Sequence, residues 1–278
     1  MIKIAIQGQE ASFHDIAARN FFGDNAKIKP CESFESTFSS LQEGQADFAL
    51  VAIENSLYGT INKVYDLLLS SELKICGEIY LHIEQCLIGL PDTKLSDIKN
   101  IFSHPVALAQ CSRYLDNNIP NAHRHEYQDT AASVIKIKEL GDQSNVAIAS
   151  KQAAELYSME IIAEGIETNK QNYTRFVALQ RQDHQYKVDK PSKTSIVLQT
   201  PKDTKAGSLF HALGTFAKYG VNLTALHSRP IIGRAWHYMF YIDLEIDYDS
   251  DKYKKVFSEL NDQGCHIDML GNYKNGLL

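Results

Sequence analysis

The sequence predicts an α/β protein built from two modules, and three observations carry that prediction. Up to about residue 181, short apolar runs alternate with helical segments, the order that produces a mostly parallel sheet with crossover helices. Residues 182–193 are polar, contain Pro191 and show no hydrophobic period, so they read as a linker. From 194 to 278 the order is strand, helix, strand, strand, helix, strand, a split βαβ arrangement of the size of a small regulatory or ligand-binding module.

The elements follow from local signals. Lys3–Ile6 reads as a strand broken by Gly8. Ser12 is the N-cap of a helix over Phe13–Phe22, with Asp15 three residues on and Gly23 as terminator. Phe48–Ile53 is apolar without interruption, as a strand covered on both faces must be. Ile61, Val64, Leu67 and Leu68 share one helical face. Lys99–Phe102 is a strand, and Pro105 opens a helix that runs to about Leu115. A helix over Thr130–Leu140 closes at Gly141, and the strand Val146–Ala149 precedes a helix over Lys151–Tyr157. In the second module, strand Ser195–Gln199 leads to a helix over Gly207–Tyr219 closed by Gly220. Strands near Asn222–Arg229 and His237–Leu244, a helix over Asp251–Asp262 closed by Gly264, and strand His266–Leu270 complete it.

Composition excludes several functions. A net charge of −6 disfavours nucleic acid as a partner, because phosphate backbones attract basic surfaces. The longest apolar run, Phe48–Ile53, is far short of the ~20 residues that span a bilayer, and no signal-peptide core is present. The five cysteines (Cys31, Cys76, Cys86, Cys111, Cys265) are scattered, without a C-x-x-C pair, and read as free thiols of a cytoplasmic protein. No metal-ligand spacing, no Walker A or G-x-G-x-x-G loop and no G-x-S-x-G elbow occurs, so neither metal nor cofactor is expected.

Three segments share a strand–turn–helix layout: Gly8–Ser12, Glu54-Asn55-Ser56 with Gly59, and Ser103-His104-Pro105. Such turns set free backbone N–H groups and helix N-termini at the carboxyl edge of a sheet, where anions bind. Asn55 and Gln110 supply amide donors that hold a carboxylate without burying a second ion. Thr174 and Arg175, at the mouth of the apolar strand Phe176–Leu179, place a hydroxyl beside a guanidinium.

These stretches together resemble the prephenate dehydratases along essentially the whole chain. The resemblance rests on Gly8–Phe13, Ile53-Glu54-Asn55-Ser56 with Gly59, and Ser103-His104-Pro105 through Ala107-Leu108-Ala109-Gln110-Cys111. It continues in Asp129-Thr130-Ala131-Ala132, Ala147–Ser150 and Thr174-Arg175-Phe176. It implies a two-lobed catalytic domain similar to type 2 periplasmic binding proteins over 1–181, and a ferredoxin-like ACT regulatory domain over 194–278. The implied reaction is loss of CO2 and water from prephenate to give phenylpyruvate, without a cofactor. By resemblance, Thr174 is the donor to the departing hydroxyl, and Asn55, Ser103 and Gln110 join it as catalytic residues. Glu54, Ser56, Gly59, Thr130, Arg175 and Phe176 then contact substrate.

The second-module resemblance implies L-phenylalanine as allosteric effector, bound at an interface between two ACT domains by Gly207, Ser208, Leu209, Asn222, Leu223, Ser228, Arg229 and Pro230. It also implies a homodimer or dimer-of-dimers tetramer. The sequence departs from the family pattern at His227, where an acidic residue is usual, and at Ser208. In the first motif, Ala11 and His14 replace a glycine and a serine. Ala11 disfavours positive φ, which predicts a locally different turn. Arogenate as substrate and a non-catalytic carboxylate sensor are the rival readings, and a fused chorismate mutase domain is not expected.

Overall fold

A computed structural model describes residues 1–183, 186, 188–201, 206–231, 233–234 and 236–276. Residues 184, 185 and 187 of the expected linker, and 202–205, 232, 235, 277 and 278 of the expected second module, lie outside them. The chain divides into two compact units, Met1–Ser71 with Ile79–Val177, and Glu72–Glu78 with Ala178–Leu278.

The first unit contains two sheets. It begins with β1 (Lys3–Gln7), α1 (Phe13–Phe22), β2 (Lys27–Cys31), α2 (Phe34–Gln42) and β3 (Phe48–Asn55). β1 lies between β2 and β3 and is parallel to both. Ile4, Ala5, Ile6 and Leu50 are fully buried, because α1 and α2 cover this sheet. β4 (Gly59–Thr60) folds back on β3 before α3 (Asn62–Ser70). β5 (Lys74–His82) belongs to the second unit up to Glu78.

The second sheet comprises β6 (Cys86–Gly89), β7 (Asn100–Ser103), β8 (His123–Glu126), β9 (Asn145–Ala149) and β10 (Glu160–Ala163) in the order β10-β6-β9-β7-β8. β7 is parallel to β8 and β9, whereas β6 is antiparallel to β9 and β10. Its helices are α4 (Pro105–Gln110), α5 (Ser112–Asn118), α6 (Thr130–Leu140) and α7 (Lys151–Tyr157). The helix expected from Pro105 to Leu115 is therefore two helices: Cys111 leaves the helical region at φ −96°, ψ 2°. Ile101, Cys111, Leu115, Val146 and Ile148 form one core here. β11 (Tyr173–Gln180) returns to the first sheet beside β3, and its residues to Val177 belong to this unit.

Ala11 does take positive φ, +62°, against the sequence expectation. Its N–H donates to Asp15 Oδ2 at 2.6 Å and its carbonyl accepts from Ser150 Oγ at 2.7 Å. Two buried hydrogen bonds offset the ~1–2 kcal/mol that the left-handed conformation costs an L-residue.

The second unit runs β12 (Lys193–Gln199), α8 (Ser208–Lys218), β13 (Leu223–Pro230), β14 (Tyr238–Leu244), α9 (Asp251–Asp262) and β15 (His266–Tyr273). Its sheet order is β13-β14-β12-β15, all neighbours antiparallel, with the first part of β5 parallel to β15. That pairing needs Gly271, where a Cβ would run into the Ile75 carbonyl. Ile196, Leu198, Phe216, Leu244, Val256 and Leu260 form the core under α8 and α9.

Lys193 is fully buried in this unit. Its Nζ lies 3.0 Å from each Glu78 carboxylate oxygen and 3.9 Å from Asp243 Oδ2. Gly276 N–H donates to Glu78, and Ser195 Oγ donates to Asp243 and shares a hydrogen with Tyr273 at 2.6 Å. All five cysteines are buried free thiols. Among the described residues no helix is long and apolar enough to cross a membrane.

Candidate active site

A cleft of about 520 Å³ opens in the first unit, lined by strands and helices of the first sheet and by the turns and helices attached to the second. The three strand–turn–helix segments all reach it: Ser12 and Phe13 from the first, Asn55 and Gly59 from the second, His104 and Val106 from the third. The size suits a small organic acid, and the lining mixes aromatic rings with a few converging polar groups. The lining contains no lysine or arginine among the described residues.

On β11, alternation of side chains decides what enters the cleft. Thr174 and Phe176 line it, whereas Arg175 between them is buried on the other face. The guanidinium expected beside the Thr174 hydroxyl is therefore elsewhere, and strand period alone places it there.

Asn55, at the end of β3, fixes Thr174. Its Oδ1 accepts from the N–H groups of Leu57 and Tyr58, both at 3.0 Å, which settles the orientation of the amide. Its Nδ2 then donates to Asn172 Oδ1 at 2.8 Å, the Tyr173 carbonyl at 3.2 Å and Thr174 Oγ1 at 3.0 Å. Thr174 accepts from Asn55, so its own hydrogen is left to be given to something in the cleft.

The opposite wall comes from the turns and helices attached to the second sheet. Gln110, on the last turn of α4, lines the cleft and accepts from Gln85 Nε2 at 3.4 Å. Gln85 precedes β6, and its backbone N–H donates to the buried Glu167 carboxylate at 2.8 Å. His104 caps α4, its Nδ1 accepting from Val106 N–H at 3.3 Å. Burial holds its pKa below the usual imidazole value, although Asp129 and Glu126 pull the other way. Asp129 caps α6, accepting from Ala132 at 3.0 Å and from Gln9 at 3.2 Å. Burial nevertheless pushes its carboxyl above the usual range.

On the side of the first sheet the ionisable lining residues are His14, Glu35 and Tyr58. His14 sits in the first turn of α1, 5.1 Å from Phe176 and 5.9 Å from Phe34 between ring centroids. Its Nε2 accepts from Ala52 N–H at 3.2 Å, and burial, reinforced by His104, lowers its pKa to about 3.

The cleft thus gathers Asn55, Gly59, Gln110, Thr130, Thr174 and Phe176 of the residues expected from the sequence. Four others lie outside its lining. Ser103 is fully buried and donates to the Ile148 carbonyl at 2.6 Å, a tie between β7 and β9. Ser56 donates to the Gln171 carbonyl and accepts from Tyr173 N–H, both at 2.9 Å, joining β3 to β11. Glu54, like Arg175, does not line the cleft. Conversely, His14, His104, Gln85 and Asp129 were not selected from the sequence. A polar residue just after a strand was the available signal for His104, but it does not say which turns meet.

The residues expected to hold an effector do not form one pocket in the second unit. Ser208 and Leu209 line a groove of about 270 Å³ with Pro201, Tyr238 and Phe240, and Gly207 caps α8 at φ +92°. Asn222 and Leu223 line a different, shallow groove beside Leu213, and Asn222 donates to Glu245 at 2.7 Å. On β13, Ser228 and Pro230 are exposed while Arg229 is half-buried, as strand alternation requires. Among the described residues no group of three or more His, Cys, Asp or Glu side chains could hold a metal ion.

A family model described as prephenate dehydratase matches residues 4–184. The bifunctional chorismate mutase/prephenate dehydratase of Aquifex aeolicus is 35% identical over 277 residues, covering 100% of this chain and 75% of that protein. Among solved structures, the prephenate dehydratase of Arthrobacter aurescens in complex with L-Phe superposes with a TM-score of 0.88. It is 29% identical, over 99% of this chain and 90% of that one. GqqA, described as a novel type of quorum-quenching acylase, gives a TM-score of 0.86 at 31% identity, over 98% and 97% of the two chains.

Proposed function

The chain belongs to the prephenate dehydratase family, and on that premise we propose that the cleft of its first unit carries the reaction with Thr174 as donor to the departing hydroxyl. The reaction takes prephenate to phenylpyruvate, CO2 and water, a step of L-phenylalanine biosynthesis catalysed by a hydro-lyase. Ring aromatisation drives it, so the protein has little covalent work to do. It orients the ring, assists the hydroxyl as it leaves, and leaves the departing carboxylate unclamped.

One observation carries the role of Thr174: the direction of its hydrogen bond with Asn55. Because Asn55 donates, the threonine hydrogen is directed away from Asn55, toward oxygen on which charge develops. Threonine is too weak an acid to surrender that proton at rest, so its contribution is a hydrogen bond that strengthens in the transition state. Phe176, Phe34 and Ile83 give the ring an apolar seat, and the Gln110 amide offers a neutral donor to a carboxylate.

The acylase description of GqqA would require a nucleophile activated by a base. Here the Thr174 hydroxyl is held by a carboxamide, which takes no proton, so the geometry favours the lyase.

For the second unit, the reading is an ACT module that binds L-phenylalanine and assembles this chain as a homodimer or dimer of dimers. Its support is the βαββαβ order, the antiparallel sheet and the L-Phe complex of the Arthrobacter aurescens protein.

The test is phenylpyruvate formation from prephenate by the purified chain, with and without L-phenylalanine, beside light scattering for assembly. Turnover suppressed by L-phenylalanine is the expected result. Folded protein inert on prephenate but active on arogenate moves the substrate, and inertness on both overturns the reading.

A further inference from the structure

The cleft must hold a substrate with two carboxylates, yet its described lining offers no cationic side chain. Anion binding there falls to neutral donors. Asn55 is not among them, since its Nδ2 hydrogens are directed at Asn172, Tyr173 and Thr174.

His14 has the features of such a donor. Its Nε2 accepts a backbone N–H from Ala52, so the ring proton resides on Nδ1. Phe34 and Phe176 hold the ring in place. Among the described residues Nδ1 has no hydrogen-bond partner, although the side chain lines the cleft. Burial together with neighbouring His104 keeps the ring neutral at physiological pH, so the tautomer is not lost to protonation.

We propose that His14 is a substrate-binding residue, giving a neutral hydrogen bond from Nδ1 to a carboxylate of the bound substrate. The proposal rests on the dehydratase reading of the same cleft. A hydrogen bond to a charged group is worth about ten- to a hundredfold in binding.

Steady-state kinetics on prephenate with two variants test it. His14→Phe keeps an aromatic ring against Phe34 and Phe176 but has no nitrogen. His14→Asn keeps an amide at the distance of Nδ1 from the backbone. KM should rise about tenfold or more in His14→Phe and stay within about threefold in His14→Asn, with kcat within about threefold in both. A His14→Phe enzyme with unchanged KM overturns the proposal.

Because either variant can disturb packing, 15N NMR of the histidine rings supplies a second readout on Thr174→Ala protein, in which prephenate is consumed more slowly. The expected signature is a neutral Nδ1–H tautomer from pH 8 to 5, with the Nδ1 proton shifting when prephenate binds. An Nε2–H tautomer, or an Nδ1 signal unmoved at saturation, overturns the proposal. If the wild type turns over no prephenate, the reading of the cleft falls and His14's role falls with it. If it does, and His14→Phe matches it in KM, only the role of His14 falls.

Discussion

The two units each bury polar groups, and they do so in opposite ways. In the first, the polar lining of the cleft is amides, hydroxyls, imidazoles and the carboxyls of Glu35 and Asp129, with no lysine or arginine among the described lining residues. In the second, a lysine with no exposed surface is closed off by Glu78 and Asp243. A core has to satisfy its own charges, because no outside group arrives to do it. A site for an anionic guest benefits from the reverse, donors whose remaining capacity is unspent until the guest enters. Asn55 combines both: its own amide is saturated, and its saturation frees the Thr174 hydrogen.

That contrast can be broken most sharply at Lys193. Lys193→Met leaves Glu78 buried without its cation and should cost about 3–5 kcal/mol in chemical denaturation. Adding Glu78→Gln should recover part of that loss; a Lys193→Met protein as stable as the parent would show that the cluster is not the closed charge site described. Next in size is Thr174→Ala. Turnover should fall about a hundredfold or more with KM for prephenate little changed, the pattern of an interaction made in the transition state. Loss of affinity with turnover retained would remove Thr174 from its role.

A smaller effect follows from His14. Its pKa is about 3 in the folded chain against 6.5 unfolded, so below pH 6.5 the unfolded chain takes up a proton that the folded one refuses. The neutral site's full contribution is present above about pH 6.5 and declines as pH falls toward 3. The loss is at most about 1.4 kcal/mol per pH unit. Urea unfolding across pH 7 to 5 should show a steeper loss of stability in the wild type than in His14→Phe, His104 contributing to both. The smallest effect is expected at Ser103. Ser103→Ala removes the donor to the Ile148 carbonyl and should cost about 0.5–1.5 kcal/mol of stability, with kcat within about twofold. A large drop in kcat would instead restore Ser103 to the catalytic set.

Much of this architecture was legible from residue order. Ser12 before Phe13–Phe22, Gly141 after Thr130–Leu140 and the uninterrupted Phe48–Ile53 run are local signals, and local physics honours them. The break at Cys111 was not legible, because neither glycine nor proline marks it and the cost of kinking is met by core contacts from distant strands. Ala11 misled for a similar reason: its strained φ is stabilised by Asp15 and by Ser150, 139 residues away. Within the site, motifs located the right turns but not which side chains face the cleft. Strand period would have separated Thr174 and Phe176 from Arg175. No local pattern could have paired Asn55 with Thr174 across 119 residues, or set His14 against Ala52.

The five buried thiols offer one more consequence. Burial pushes Cys86 up to about 11 and Cys76 up to about 12, so the reactive thiolate is scarce as long as the sulfur stays buried. A thiol-specific dye added to the native enzyme therefore waits on opening of the structure. Its labelling rate becomes a clock for breathing motions, and peptide mapping reads two dials separately: Cys31, Cys86 and Cys111 in the first unit, Cys76 and Cys265 in the second.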